Sequence, residues 1–189
     1  MDYQHNLRIP LQRIGALLGK GGKAKNKIEK LCDVEIIVDS KSGDILLKSS
    51  SEPEQFNALK ATNIIIAIGR GFSSEKALQL INDEIIMEIV DLRNYTGKST
   101  DALTRIKGRI IGLEGKTRKI VEDLTNTNLS IFGYSATIIG AVTDVKVALE
   151  ALDMLASGKP HRAVYRFLER TKRQSKIDRL KLWEDREVA

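Results

Sequence analysis

The sequence predicts an α+β protein that contains two copies of one β-α-α-β-β-α unit and ends in a basic helix. A short glycine phrase occurs twice, as LLGKGGK at residues 17–23 and as IIGLEGK at residues 110–116, and the two copies lie 93 residues apart. Strand-like and helix-like segments follow one another in the same order around both copies. We therefore expect two three-stranded antiparallel sheets, each packed on helices.

Hydrophobic periodicity and turn residues define the first copy. Leu7, Ile9 and Leu11 alternate as in a strand, and Asp39 to Gly43 contain the turn formers that join two strands of a hairpin. The predicted elements are a strand at 7–11, helices at 13–18 and 23–32, strands at 34–38 and 44–47, and a helix that ends near residue 68.

The second copy repeats this order. Its predicted elements are a strand at 84–92, helices near 101–107 and at 116–125, strands at 129–132 and 136–139 around a Gly133-Tyr134-Ser135 turn, and a helix at 144–156. The predicted domain boundaries are 1–69 for the first unit, 70–83 for a linker helix, 84–158 for the second unit and 159–189 for the basic helix.

Composition and motifs exclude several classes of protein. The chain is 42% hydrophobic and 30% charged, which is typical of a globular protein, and its start resembles no signal peptide. Cys32 is the only cysteine and is expected to pack in the core, while His5 and His161 lie at opposite ends of the chain. We therefore expect a cytoplasmic protein without membrane contact, metal, cofactor or enzymatic activity.

The glycine loops are the candidate binding sites. Glycines at both ends of a short loop let backbone amides and neighbouring cations approach a phosphate closely. The spacing does not fit a P-loop, which needs four residues between its glycines, whereas the GLEGKT phrase has two. The candidate RNA-binding residues are Gly19, Lys20, Gly21, Gly22, Lys23, Lys25 and Lys27 at the first loop, and Arg109, Gly112, Leu113, Glu114, Gly115, Lys116, Arg118 and Lys119 at the second.

The two loops differ at their tips. The first has Lys20 there, whereas the second has Leu113 and the anionic Glu114. Two unit charges about 4 Å apart interact by about 1 kcal/mol in water and about 4 kcal/mol near a protein surface, so Glu114 should repel a phosphate. We expect the first loop to bind phosphate, and the second to serve either RNA binding or packing and protein docking.

The basic C-terminal helix has two interpretations. The last 31 residues of the chain contain ten Lys and Arg against five Asp and Glu, so they contribute most of the chain's net charge of +6. Several of the arginines recur at spacings that share one side of a helix. The helix is either a solvated charged surface or an auxiliary contact for RNA phosphates.

The Gly-x-x-Gly loop between two helices, within this order of elements, resembles the type I KH module from about Asn6 to Ser157. In that family the loop clamps about four nucleotides while an apolar groove receives the bases, and Ile28, Val34 and Ile36 would line or support the groove of the first unit. Lys25 and Arg118 depart from the KH pattern, which has an aliphatic residue there.

Further phrases resemble the archaeal Dim/KRR-type tandem KH proteins, whose eukaryotic relatives are ribosome biogenesis factors. These phrases are IGRGFS at 68–73, DLR at 91–93, RIKGRIIG at 105–112 and VYRFLER at 164–170. The resemblance implies binding of single-stranded small-subunit ribosomal RNA near its 3′ end, in ribosome maturation or early translation initiation. It also implies as partners the nuclease that trims this end or the alpha subunit of translation initiation factor two. The alternative is a scaffold whose KH units mainly dock proteins.

Overall fold

The computed structural model of the chain describes residues 3–49, 55–97 and 99–187. The chain divides into two compact units, Met1–Glu88 and Ile89–Ala189. Each unit contains a three-stranded sheet packed on helices, and the β-α-α-β-β-α order occurs twice. The predicted fold class is therefore confirmed.

The elements of the first unit follow the predicted order. They are β1 (Tyr3–Arg8), α1 (Leu11–Leu18), α2 (Lys23–Cys32), β2 (Glu35–Val38), β3 (Asp44–Ser49), α3 (Gln55–Gly69) and α4 (Ser74–Ala77), the last followed by a 3-10 turn at Leu78–Ile81.

The second unit repeats this order and adds a long final helix. Its elements are β4 (Ile85–Asp91), α5 (Thr100–Ile111), α6 (Lys116–Thr125), β5 (Asn128–Phe132), β6 (Ser135–Ala141), α7 (Val142–Ala156) and α8 (His161–Glu187), with a 3-10 turn at Leu92–Tyr95.

The first strand lies earlier in the chain than the periodicity of residues 7–11 predicts. Strand β1 ends at Arg8, and Pro10 is the residue that precedes α1, with φ −57° and ψ 136°. Proline has no backbone N–H to donate to a sheet, so the strand ends before it. Ile9 still donates its N–H to the carbonyl of Gly43 at 3.1 Å, and Leu11 starts the helix.

In each sheet, the second strand of the hairpin lies in the middle. The strand orders are β1-β3-β2 and β4-β6-β5. In the first sheet, β3 pairs antiparallel with both neighbours, so that Leu47 faces His5 on one side and Ile36 on the other. Leu47 and Ile36 are buried against the helices, and full burial of each such side chain contributes about 1.5–3 kcal/mol.

A glutamate joins the helix after each glycine loop to the following strand. The carboxylate of Glu29 in α2 accepts the N–H of Ile36 at 2.8 Å, and that of Glu122 in α6 accepts the N–H of Leu129 at 2.9 Å. The same 93-residue shift that aligns the glycine loops aligns both partners of this hydrogen bond. The duplication therefore extends to the contacts that orient the two loop helices.

Arg13 caps the end of α3 in the first unit. Its guanidinium donates from Nε to the carbonyl of Ile68 at 2.8 Å and from Nη2 to the carbonyl of Phe72 at 2.6 Å. The last carbonyls of a helix have no partner within the helix, and a cation is favourable there. Arg13 thus holds α1, and the loop that follows it, against the end of α3.

The segment 70–83, for which the sequence predicts a linker helix, is packed on the first unit. It contains α4 and the following 3-10 turn, and Ala77 and Leu80 are buried. Ser73 caps α4, because its hydroxyl accepts the N–H of Lys76. Among the described residues, no helix is both long and apolar enough to cross a membrane.

Candidate nucleic-acid interface

The first glycine loop has a backbone that only glycines adopt easily. Gly19, Gly21 and Gly22 have φ of 69°, 63° and 76°. A Cβ at Gly19 would lie 2.7 Å from the Cβ of Ala24, so this glycine is required by close packing as well as by its φ. Around Gly21 the space is open, so its surface is available to a ligand.

The second loop follows the same path with one costly exception. Gly112 and Gly115 have φ of 71° and 77°, and a Cβ at Gly112 would overlap the hydroxyl of Thr117. Between them, Glu114 has φ 51° at the position that Gly21 occupies in the first loop. A residue with a side chain pays about 1–2 kcal/mol for this left-handed conformation. The backbone path is therefore retained although the residue is unfavourable for it.

Three lysines surround one side of the first loop. Lys20 lies exposed at the tip, and Lys23 and Lys27, one helical turn apart on α2, are also exposed. A cleft beside the loop contains all three side chains and is lined by Lys20, Lys23, Lys27, Ser73, Ser74 and Glu75. The loop also leads directly into the N-terminus of α2, which favours anions. This arrangement suits a phosphodiester group.

Lys25 and Arg118 are engaged by the glutamates that join helix to strand. The ammonium of Lys25 lies 2.9 Å from the carboxylate of Glu29, and the guanidinium of Arg118 lies 3.6 Å from that of Glu122. Both cations are only partly exposed. Their departure from an aliphatic residue has a physical reason, since each one compensates a glutamate that accepts a backbone N–H.

Arg109 caps a helix in the second unit. Its guanidinium donates from Nε to the carbonyl of Leu155 at 3.0 Å and from Nη2 to that of Lys159 at 2.6 Å, at the end of α7. This is the counterpart of Arg13 in the first unit, although the two arginines are 96 rather than 93 residues apart. Positions three residues apart lie on the same face of a helix, so an arginine at either position can reach the end of the last helix of its β-α-α-β-β-α unit.

The remaining candidates around the second loop are exposed. Lys116 and Lys119 are exposed on α6, Glu114 is exposed, and Leu113 is 85% exposed at the tip. The second loop thus presents two lysines, one carboxylate and one apolar side chain. It carries less positive charge at its tip than the first loop.

The predicted groove residues of the first unit are buried. Ile28, Val34 and Ile36 have relative exposures of 0%, 7% and 1%. They lie in the core of the unit rather than on its surface. Cys32 is also buried, as predicted, and burial raises the pKa of its thiol.

Known families match both units. A KH-domain model matches residues 4–83. The model of the second KH domain of PNO1, a eukaryotic-type KH domain of type I, matches residues 86–173.

Relatives match across most of the chain. The KH domain-containing protein MJ0443 of Methanocaldococcus jannaschii is 39% identical over 177 residues, which cover 94% of this chain and 78% of that protein. The pre-rRNA-processing protein PNO1 of Yarrowia lipolytica is 27% identical over 159 residues; the match covers 83% of this chain and 62% of that protein.

A solved structure has the same fold. It is the complex of Dim2p with the alpha subunit of initiation factor 2 and rRNA from Pyrococcus horikoshii, and the matched chain superposes with a TM-score of 0.84 at 38% identity, covering 92% of this chain and 96% of that one. From these matches and the duplicated KH loops, the chain belongs to the Dim2/PNO1 family of RNA-binding proteins with two KH domains.

Proposed function

We propose that the chain binds single-stranded RNA of the small ribosomal subunit near its 3′ end, and that the Gly19–Gly22 loop holds the RNA phosphates. The observation that carries this proposal is the cleft in which Lys20, Lys23 and Lys27 converge beside an open glycine loop. The three cations outweigh the single carboxylate of Glu75 in this cleft and lie next to the positive end of a helix dipole, so the cleft can bind a phosphate whatever the RNA sequence.

The second loop is proposed as a weaker RNA site. It keeps the backbone path of the first loop and the exposed cations Lys116 and Lys119, but Glu114 opposes a phosphate at its tip. Arg109 is left out of the proposed site because its guanidinium is engaged at the end of α7.

The proposed role is that of a non-catalytic factor in cytoplasmic ribosome maturation or early initiation. The related Dim2p occurs in a complex with rRNA and the alpha subunit of initiation factor 2, which supports the same two partners for this chain. The nuclease that trims the rRNA 3′ end is proposed as a further partner from the family resemblance. Binding of the purified alpha subunit, measured with and without RNA, tests the first of these protein partners.

The double substitution Lys20→Asp and Gly21→Asp tests the loop. Aspartate at position 21 is compatible with the fold, because Glu114 occupies the corresponding position of the second loop. We expect the affinity for a single-stranded RNA of the 3′-end sequence to fall about tenfold or more, since a hydrogen bond to a charged group contributes about 1.5–3 kcal/mol.

The matched control is Asn63→Asp with Lys146→Asp, which changes the net charge equally at two exposed positions outside the loops. If the loop variant is folded and binds RNA as tightly as the control, the phosphate clamp is wrong. An affinity independent of salt would rule out binding led by phosphates. Equal affinity for a scrambled RNA would leave the clamp but reject the 3′-end target.

A further inference from the structure

We propose that Tyr134, held in place by Arg93, is a stacking platform for one unpaired RNA base beside the second glycine loop. This inference rests on the proposed RNA binding and adds a base contact to the second unit. The sequence places Tyr134 only in the turn between β5 and β6, so its role follows from the structure.

Arg93 covers one face of the tyrosine ring and is itself held rigidly. Its guanidinium carbon lies 5.2 Å from the centre of the Tyr134 ring. Its Nε donates to both carboxylate oxygens of Asp91 at 2.9 Å, and its Nη2 donates to the same carboxylate. A two-point contact of this kind fixes the plane of the guanidinium. Arg93 therefore fixes the orientation of the Tyr134 ring from one face, while the side chain remains 58% exposed.

The turn that carries Tyr134 is tied to the neighbouring elements. The carbonyl of Tyr134 accepts the N–H of Leu92 at 2.8 Å, and the carbonyl of Gly133 accepts the ammonium of Lys107 at 2.9 Å. These contacts restrict the motion of the turn. An ordered aromatic ring loses little conformational entropy when a base stacks on it.

The turn that carries the platform is tied to α5, the helix that leads into the second loop. Lys107, which holds the turn, precedes Gly112 by five residues, and five residues of α-helix extend about 7.5 Å. A KH loop holds about four nucleotides, so an RNA that continues from the Gly112–Gly115 loop along α5 would span this distance. The ammonium of Lys107 adds positive charge at the turn.

A base is the ligand that fits this surface best. Unpaired bases stack on aromatic rings and on guanidinium planes, and both are present here. The second loop is unfavourable for phosphate because of Glu114, whereas stacking does not depend on a phosphate contact. The corresponding turn of the first unit, Asp39–Gly43, contains no aromatic residue. The platform thus gives the second unit a mode of contact that the first lacks.

The test combines Tyr134 variants with RNAs that lack one base at a time. For the wild-type chain, removal of the base at one position should lower affinity about tenfold, since stacking of one base contributes about 1–3 kcal/mol. The variant Tyr134→Ala should lower affinity for the intact RNA equally and should be insensitive to the abasic position. Tyr134→Phe should behave as wild type, and Tyr134→Leu, which keeps apolar area but has no ring, should behave as Tyr134→Ala.

The outcomes separate this inference from the proposed function. If the wild-type chain binds RNA but every Tyr134 variant loses affinity at the same abasic positions as the wild type, the platform is wrong and the RNA binding stands. If the wild-type chain binds no RNA, both proposals are wrong. Because Tyr134 is largely exposed, its variants should unfold at the same temperature as the wild-type chain. Thermal unfolding therefore checks that each variant is folded.

Discussion

Glu114 provides a test of the difference between the two loops. Glu114 occupies the position that Gly21 has in the first loop, and its backbone has a left-handed conformation that glycine adopts without cost. Replacing Glu114 by Gln and by Lys should raise RNA affinity in that order, severalfold at each step at low salt, because repulsion is first removed and then replaced by attraction. Fluorescence titration at two salt concentrations measures the series.

Glu114→Gly separates charge from backbone strain. It should raise the free energy of unfolding by up to about 1 kcal/mol by removing the strained side chain, and its RNA affinity should match that of the Gln variant. Gly115→Ala is the control, since φ of 77° should make alanine destabilising although nothing blocks its Cβ. Identical RNA affinities for Glu, Gln and Lys at position 114 would show that the second loop does not approach phosphates.

The sequence predicts features that depend on the local backbone and misses contacts that depend on distant partners. The Gly19–Gly22 loop and Lys20 follow from a short phrase, because positive φ and a tip charge are local properties. The sequence predicts Arg109 as an RNA-binding residue. Its contact with the end of α7, 46 residues away in the chain, depends on how α5 and α7 pack. The Arg93–Tyr134 pair is tertiary in the same way.

Helix α8 shows how one element combines a packed face and a charged face. Val164 and Leu168 are buried, and the hydroxyl of Tyr165 lies 3.0 Å from that of Thr117 on α6. At 100° per residue, Arg162, Arg166 and Arg173 lie on the opposite face, where all three are exposed. Within the described part of the chain, no carboxylate pairs with any of them. We interpret this face as the auxiliary phosphate contact.

Replacing Arg162, Arg166 and Arg173 by Gln tests that interpretation. Each phosphate contact contributes about 0.7–0.9 to the slope of log affinity against log salt, so the variant should lower the slope by about 2–3 for a long RNA. Affinities at salt concentrations from low to moderate give the slope. A control with Lys41, Arg105 and Lys146 replaced by Gln removes the same charge from scattered exposed sites. Equal slopes for the two variants would identify α8 as a solvated surface.

Elements were predicted better than their ends. The order of strands and helices follows from periodicity, but the first strand ends before Pro10, at Arg8, and α5 continues through Ile110 and Ile111 to the loop. For segment 70–83 the sequence predicts a linker helix, and the structure adds that Ala77 and Leu80 in this segment are buried. Periodicity reports which residues are apolar, whereas the end of an element depends on its hydrogen-bond partners.

The two units are proposed as separate domains, with the boundary ahead of β4 near residue 84. A division at Glu88 would cut β4, which spans Ile85–Asp91 and joins β6 in the second sheet. Placing the whole strand in the second domain keeps the sheet complete. Each domain then contains one glycine loop and the glutamate that orients the helix after it.

Two linked sites predict an affinity that depends on RNA length. When one loop is occupied, the second binds at a high effective concentration, so even a weak second site increases overall affinity, by up to about 10²–10⁴-fold in linked systems. An RNA of the 3′-end sequence long enough for both loops should bind far more tightly than one that fits a single loop. A double variant of either loop should remove this gain while leaving single-site binding at the intact loop. The two variants are Lys20→Asp with Gly21→Asp and Lys116→Asp with Lys119→Asp. Titrations of short and long RNAs measure it, and a gain that survives in both variants would show that the extra affinity comes from outside the loops.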